Sequence, residues 1–226
     1  LRDKNGDGTF DEVTVIAEVP FPTGVIAHRD GVLVAAAPDL LYFPDPENDE
    51  TEDKKQVVLT GFGRDFAGGG IFNSLRWGLD NHIHMATGFA GGAVRSPKHP
   101  EDKAVSLRQR GLILDPRTWS FATTSGGGQF GLGMDDDGNK FLCSNVRPLQ
   151  FLSYDDRYIQ ANPFFSPPLP ATNINAEPAL TPLFRLSPLE PWRVLRSRIA
   201  GSQRRNDPEA ARSGGVFTSA SGITVY

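Results

Sequence analysis

Residues 31–43 read GVLVAAAPDLLYF, which is a glycine turn, an apolar run with small side chains, a short turn and a second apolar run. A polar turn before a short β-type run recurs in LDNHIHMATG from Leu79, DDDGNKFLCSN from Asp135 and GVFTSASGITVY from Gly215. The turn residues of the four units are spaced 50, 57 and 77 residues apart and are Gly31, Asn81, Gly138 and Gly215. Short runs of this kind, separated by Gly, Asp and Asn, predict an all-β fold.

A second, weaker repeat lies near the start of the chain. DKNGDGTFDEVTVIAEV from Asp3 aligns with DPENDETEDKKQVVLTG from Asp45, which gives a period of 42 residues. A repeat of about 40–50 residues is typical of β-propeller blades rather than of a sandwich. Because six such blades would need about 250 residues or more, four units are few for a closed propeller, and we expect only part of one here. About four blades would lie within residues 1–226, and the others would follow Tyr226.

Prolines concentrate in the second half of the chain. Ten of the 18 prolines lie in residues 148–208, in stretches such as FFSPPLPATN and SPLEPW. Because proline interrupts strand pairing, we expect a Pro-rich insertion at about 148–213 that lies outside the blades. It is either a solvated connection between blades or a loop that covers the mouth of a site or meets a partner. The best helix candidate, residues 154–160, is short and is soon followed by Pro163.

Composition and charge exclude several classes of protein. The chain is 38% hydrophobic and 22% charged, as in folded globular proteins and unlike disordered chains. No apolar run approaches the roughly 20 residues that span a bilayer, so we expect no membrane span. A net charge of −4 gives no general attraction to nucleic acid. The single cysteine, Cys143, excludes an intrachain disulfide, and low cysteine usage favours an exported, periplasmic or extracellular protein over a cytoplasmic one without deciding the compartment.

The strongest local motif is Asp3-x-Asn5-x-Asp7-Gly8-x-x-Asp11. Oxygen-bearing side chains at this spacing, with a glycine that permits a sharp turn, form the front of a calcium loop. Thr14 stands where an EF-hand needs glutamate, and no helices are predicted beside the loop, so an EF-hand is excluded. The motif either binds calcium through Asp3, Asn5, Asp7 and Asp11 or is an Asx-rich turn without metal.

His82 and His84 alternate within a short β-type run, so we expect both side chains on one face of a strand. A His-x-His pair can supply two metal ligands, but the sequence identifies no third ligand. His84 alternatively serves as a general base near a propeller axis. The glycine-rich runs SGGGQFG and GFGRDFAGGG lack the features of a phosphate-binding or dinucleotide-binding loop.

Several stretches, taken together, resemble one family. They are FNSLRWGLDNHIHMATG, LILDPRTWSFATTSGGGQFGLGMDDDGNKFLCSN, DDRYIQANPFF, SPLEPWRV and GGVFTSASGITVY, with FPTGV and APDLLYFPD before them. They are similar to the N-terminal propeller of the large PVC-type haem-binding proteins of planctomycete-like bacteria, often called membrane-bound dehydrogenases. That propeller is itself similar to quinoprotein glucose and sorbosone dehydrogenases. Full-length members commonly continue into helical repeats and a haem c domain with Cys-x-x-Cys-His.

The resemblance implies a six-bladed propeller in a sugar-oxidising dehydrogenase of the quinoprotein type that is exported to the periplasm. It implies a carbohydrate-like substrate, PQQ and calcium as cofactors, and electron transfer to a haem c domain elsewhere in the parent protein. On this hypothesis Arg76 and His84 are catalytic, with His84 as the base, and the cofactor-binding residues are Asn73, Arg95, Gln129 and Asn145. The alternative is a non-catalytic propeller that binds a carbohydrate or a protein. It is favoured by the stretch GGGIFNS, which precedes RWGLDN and contains no histidine.

Overall fold

The computed structural model describes residues 1, 3–13, 15, 17–44, 55–65, 70–158, 162, 164–176, 188, 190–192, 194, 195, 199 and 220–225. These residues form an all-β fold of three antiparallel sheets, as the sequence predicts. The strands are β1 (Gly24–His28), β2 (Gly31–Ala36), β3 (Asp39–Phe43), β4 (Gln56–Phe62), β5 (Asn73–Trp77), β6 (Ile83–Ala86), β7 (Gly92–Arg95), β8 (Val105–Ser106), β9 (Gly111–Leu114), β10 (Phe121–Thr124), β11 (Leu132–Met134), β12 (Lys140–Ser144), β13 (Arg147–Leu152) and β14 (Ala171–Asn173). Within this part of the chain, no helix has both the length and the apolar character needed to cross a membrane.

Each sheet is built on four strands that follow one another as a meander. The second sheet has the order β10-β9-β6-β5, and the third has the order β11-β12-β13-β14. The first sheet begins in the same way with β1-β2-β3-β4 and is extended by β7 and β8. These two strands leave the second sheet between β6 and β9, and β7 joins the edge of β4, where Thr60 pairs with Arg95.

The turn–strand units predicted from the sequence coincide with the three sheets. Gly31 begins β2, whereas Asn81 and Gly138 lie in the turns that precede β6 and β12. These are the second strands of the three sheets, so the sequence repeat marks the repeat of the architecture. Glycine is needed at position 31, because a Cβ there would lie 2.2 Å from the carbonyl oxygen of Phe43. Gly215 and the repeat at residues 45–53 lie outside the described residues.

The expected Pro-rich insertion overlaps the third sheet. Strands β13 and β14 occupy parts of residues 147–173, so the first part of this segment contributes to the fold. Pro148 is tolerated in β13 because the pairing with β12 shifts register between Leu142 and Ser144, where no regular ladder bond is required of it. The predicted short helix is a 3₁₀ helix, Asp156–Tyr158, in the connection between β13 and β14. Residues 191, 192, 194, 195 and 199 are also helical.

The first and second sheets share the main hydrophobic core. Its largest fully buried side chains include Phe72 and several leucines from β2, β3, β4 and β9. Phe62 and Phe72 stack with their ring centroids 3.8 Å apart. The third sheet has a smaller core of Leu132, Leu142 and Leu152, which packs against Ala86 of β6.

The first strands of the three sheets lie side by side. Strand β5 contacts β1 on one side and β11 on the other. At the β1–β5 contact, a Cβ on Gly24 would lie 2.8 Å from Cδ1 of Leu75, so the strands approach as closely as glycine permits. Residues 220–225 continue the series beyond β11, because the N–H of Gly222 donates to the carbonyl oxygen of Phe130 at 2.8 Å.

Candidate functional site

A cavity of about 690 Å³ lies between the second and third sheets. Its walls come from the β5–β6 turn, β9, β10, the β11–β12 turn and the connection that follows β13. The volume is within the range of about 300–1,000 Å³ that is usual for small-molecule sites. The lining histidine and charged side chains are His84, Asp80, Asp137, Lys140, Asp155 and Arg157, and the lining aromatic side chains are Phe151, Tyr154 and Tyr158.

His84 and Asp80 form a hydrogen-bonded pair in this cavity. His84 is the second residue of β6, and only 5% of its side chain is exposed. Its Nε2 lies 3.1 Å from each carboxylate oxygen of Asp80 in the preceding turn. Its Nδ1 is buried and has no hydrogen-bond partner among the described residues. Buried polar atoms are nearly always hydrogen bonded, so this nitrogen is an exception; it is closed off from the cavity, and a ligand atom could bond to it only after the side chain moves.

The β5–β6 turn brings the two side chains together. The N–H of Gly78 donates to the carbonyl oxygen of His82, and the N–H of His82 donates to Oδ1 of Asp80. Asn81 has a φ of 59°, in the left-handed region that asparagine tolerates. A Cβ at Gly78 would lie 2.6 Å from both Oδ1 of Asp80 and Nε2 of His84, so only glycine leaves room for the pair.

Burial and hydrogen bonding set the protonation of the pair. Burial lowers the pKa of His84, the charge of Lys140 adds to this lowering, and Asp80 acts against it. Burial raises the pKa of Asp80, but the hydrogen bonds from His84 and from the N–H of His82 outweigh it, so that the net pKa is lowered. At neutral pH the pair is therefore a carboxylate that accepts the Nε2 proton of a neutral imidazole, which leaves Nδ1 as an acceptor.

Lys140 and Asp155 form a second charged pair in the cavity. Lys140 is the first residue of β12, and 15% of its side chain is exposed. Its Nζ donates to Oγ1 of Thr124 at 3.2 Å and lies 3.6 Å from Oδ2 of Asp155. The Thr124 hydroxyl donates to the same carboxylate oxygen at 2.9 Å. The two pairs together offer a buried cation, a neutral imidazole and two carboxylates to a polar ligand.

The carboxylate of Asp156 anchors the connection after β13 to the second sheet. Arg110 donates to Oδ2 of Asp156 through Nε at 2.7 Å and also through its Nη2. The Ser125 hydroxyl donates to Oδ1 of Asp156 at 2.8 Å. These bonds hold Asp155, the residue before Asp156, against Thr124 and Lys140.

Arg76, the other predicted catalytic residue, lies directly opposite His84 in the β5–β6 pair. Its Nε donates to the carbonyl oxygen of Leu132 at 3.4 Å, which links β5 to β11. The structure thus brings Arg76 and His84 to neighbouring positions, but only His84 lines the cavity. His82 precedes β6 rather than lying in it, and its Nδ1 bonds to the carbonyl oxygen of Asp80 at 2.8 Å.

Three of the four predicted cofactor-binding residues form a network away from the cavity. Asn73 begins β5, whereas Asp80 follows the other end of that strand. The Asn73 amide donates to the carbonyl oxygens of Ile71 at 2.8 Å and Gln129 at 3.1 Å. Its Oδ1 accepts the N–H of Gly131 at 3.1 Å. Oε1 of Gln129 accepts the N–H of Asn145 at 2.8 Å, so these side chains connect the loops before β5, before β11 and after β12.

Arg95, the fourth predicted cofactor-binding residue, lies in β7 of the first sheet. It is paired there with Thr60, whereas Asn73 lies in the second sheet. The carboxylates and carbonyls of a quinone such as PQQ need donors that are not already engaged. The Asn73 amide is engaged within the protein, as is Oε1 of Gln129, and PQQ binding by these four residues stays a prediction.

The predicted calcium motif forms a compact turn. The carboxylate of Asp3 accepts the N–H of Gly6 at 2.7 Å and that of Gly8 at 2.9 Å, and Asp7 accepts the N–H of Thr9 at 2.7 Å. These bonds lower the pKa values of Asp3 and Asp7. Gly8 has a φ of 87°, as the sharp turn requires. In the described parts of the chain, no group of three or more His, Cys, Asp and Glu side chains is arranged to hold a metal, and calcium binding here stays a prediction.

The cavity contains residues that the sequence did not single out, chiefly Asp80, Lys140 and Asp155. The nearness of Asp80 to His84 has a sequence signal, because Asp-Asn before His-x-His is a turn that folds the carboxylate back on the strand. Lys140 and Asp155 have none, since they meet through the packing of one sheet on another.

Comparisons with known proteins identify the family but not a characterised relative. No curated protein and no solved structure matches the chain. The family described as "Domain of unknown function (DUF7133)" matches residues 1–226, which is the full length given. The chain therefore belongs to the DUF7133 family.

Proposed function

We propose that this chain is part of a six-bladed type of β-propeller and that it binds a carbohydrate-like small molecule in the cavity between the second and third sheets. Four-stranded meanders are the unit of a propeller blade. The observation that supports the propeller is the series of neighbouring first strands, β1, β5 and β11, which residues 220–225 continue. Such a series is what successive blades around one axis produce.

The observation that carries the ligand proposal is a cavity of about 690 Å³ whose lining includes the polar side chains of His84, Lys140 and Asp155. A sugar or polyol presents hydroxyl groups that both donate and accept, which suits His84, Lys140 and the carboxylates beside them. Tyr154 and Tyr158 add aromatic rings to the wall. A few polar groups of this kind in a site of this size fix the orientation of a small ligand.

Oxidation of the bound sugar is the catalytic form of this proposal. His84 would accept the hydroxyl proton of the carbinol as its hydride leaves, and Asp80 would hold the imidazole in the tautomer that can accept it. In this form PQQ and calcium are the proposed cofactors that would supply the oxidising capacity, and a haem c domain elsewhere in an exported parent protein would be the electron acceptor. We assign the quinone no site on the described residues.

A second candidate is a non-catalytic propeller that binds a carbohydrate. It is favoured by the internal hydrogen bonds of Asn73, Gln129 and Asn145 and by the separate position of Arg95. On this reading the His84 cavity recognises the sugar without reacting with it.

Two experiments on the full-length protein separate these forms. Calorimetric titration with methyl glycosides should show binding that is lost in His84→Ala and kept in His99→Ala, an exposed histidine outside the cavity. Dye reduction with aldoses, PQQ and calcium should fall at least about a hundredfold in His84→Ala if His84 is the base. Binding without dye reduction would leave the non-catalytic form, and a wild type that binds no glycoside would contradict both.

A further inference from the structure

The cavity holds a lysine whose surroundings differ from those of a surface lysine. Lys140 lines the cavity with 15% of its side chain exposed, so its ammonium group is largely removed from water. Its polar partners among the described residues are the Thr124 hydroxyl at 3.2 Å and the Asp155 carboxylate at 3.6 Å. An ammonium group has three N–H donors, so one donor position remains for a ligand.

The charges around Lys140 act in opposite directions. Burial lowers the pKa of Lys140 and Arg157 adds to this lowering, whereas Asp155 and Asp80 raise it, and the net pKa is below the usual lysine value. Burial removes the solvation that stabilises the ammonium form, so a larger fraction of free amine is present near neutral pH than at an exposed lysine. A free amine is the form that attacks a carbonyl carbon.

We propose that Lys140 is a nucleophile that forms an imine with an aldehyde-bearing ligand in this cavity, such as the open-chain form of an aldose. The proposal rests on the cavity being the ligand site, as in the proposed function, but it does not require sugar oxidation.

The reaction needs no oxidant or reductant. The Nζ lone pair attacks the carbonyl carbon, the C=O electron pair moves to oxygen, and a proton passes from nitrogen to that oxygen to give a carbinolamine. Protonation of the hydroxyl then breaks the C–O bond, the nitrogen lone pair forms the C=N bond, and one water leaves. Both proton transfers need an acid–base group in the cavity.

His84 is that group. It lines the same cavity as Lys140. Asp80 holds its Nε2, and its Nδ1 is unpartnered but buried. In the proposed step the imidazole turns toward the cavity, takes the proton released from Nζ through a bridging water and returns it to the departing hydroxyl.

Reductive trapping tests the proposal directly. The full chain is incubated at pH 7 with D-glyceraldehyde and sodium cyanoborohydride, and peptide mapping by mass spectrometry follows each lysine over time. Lys140 should be modified faster than the exposed Lys98, by about tenfold for each unit by which its pKa lies lower. Modification of Lys140 at or below the rate of Lys98 would overturn the proposal.

Two variants make the result specific. Lys140→Arg keeps the positive charge but has no amine to trap. The rapid labelling assigned to residue 140 should disappear, while Lys98 is labelled as before. Asp155→Asn removes the carboxylate that raises the pKa of Lys140, so Lys140 should be labelled faster at pH 7. Slower or unchanged labelling of Lys140 in Asp155→Asn, with Lys98 unaffected, would count against an activated amine.

Methyl glycosides separate this inference from the proposed function, since their locked rings expose no aldehyde. If methyl glucoside binds but Lys140 is not trapped selectively, the imine proposal fails and the binding site stands. If Lys140 is trapped but no methyl glycoside binds, the glycoside site fails and the lysine chemistry stands.

Discussion

Nε2 of His84 lies 3.1 Å from both carboxylate oxygens of Asp80, although the two residues belong to different parts of a hairpin. The strand buries the imidazole, and the turn supplies the carboxylate. The relationship matters because it occupies one nitrogen of a buried histidine and leaves the other without a partner beside a cavity.

The first prediction concerns stability and pH. The pKa of His84 is lowered in the folded protein, mainly by burial. The unfolded chain therefore binds more protons near pH 6, and the stability that His84 contributes is complete above about pH 6.5 and is lost as the pH falls through the folded pKa. Urea unfolding at pH 7.5 and 5.5 should show a smaller loss of stability in His84→Gln than in the wild type. Equal losses in the two proteins would show that His84 does not carry this effect.

The second prediction concerns Asn73, which we regard as structural rather than cofactor-binding. Asn73→Ala removes the oxygen that accepts the N–H of Gly131 and the amide that donates to the carbonyl oxygen of Gln129. Each buried group left without a partner costs about 1–3 kcal/mol, so the free energy of unfolding should fall by that order. Urea denaturation measures it. A fully stable variant that had lost quinone binding would instead restore Asn73 as a cofactor ligand.

The third prediction tests the packing of residues 220–225 against β11. Gly131 and Gly222 both have positive φ, 127° and 99°. An alanine Cβ at Gly131 would lie 2.9 Å from Cα of Gly222, whereas a Cβ at Gly222 meets nothing within 4 Å. Gly131→Ala should therefore destabilise the protein by about 1–3 kcal/mol more than Gly222→Ala, because only the backbone strain is common to both. Thermal unfolding compares them, and equal effects would mean that the two segments do not pack as described.

The fourth prediction concerns calcium. If the Asp3–Asp11 turn binds the ion, calorimetric titration should show binding that disappears in Asp7→Ala, because Asp7 supplies a central carboxylate of the motif. Asp137→Ala removes a carboxylate from another turn and should leave binding unchanged. Calcium binding that persists in Asp7→Ala would refute the assignment.

The fold was more predictable than the site. Gly31, Asn81 and Gly138 mark where the second strand of each sheet begins. Asn81 and Gly138 have left-handed backbone, and Gly31 is crowded by Phe43, so few residue types fit at these positions. Pro148 suggested an end to regular structure, yet it lies in β13. The effect of a proline depends on whether the neighbouring strand needs a hydrogen bond from that position, and the register shift between β12 and β13 removes that need. Propensity alone does not contain that information.

The cavity was only partly predictable for a related reason. His84 was identified as a polar residue in a strand, and the turn before it contains Asp80. Lys140 and Asp155 are 56 and 71 residues further along the chain than His84, and they approach it only because the third sheet packs on the second. Asn73, Gln129 and Asn145 were predicted as cofactor-binding residues, and their hydrogen bonds to one another depend on the same packing.

The most direct test of the central claim is a crystal structure of the protein with bound methyl glucoside. The account predicts ligand density in the cavity between the second and third sheets, with a hydroxyl about 3 Å from Nζ of Lys140 or from the carboxylate of Asp155. An empty cavity, or density only beside Asn73 and Gln129 at the other end of the strands, would contradict it.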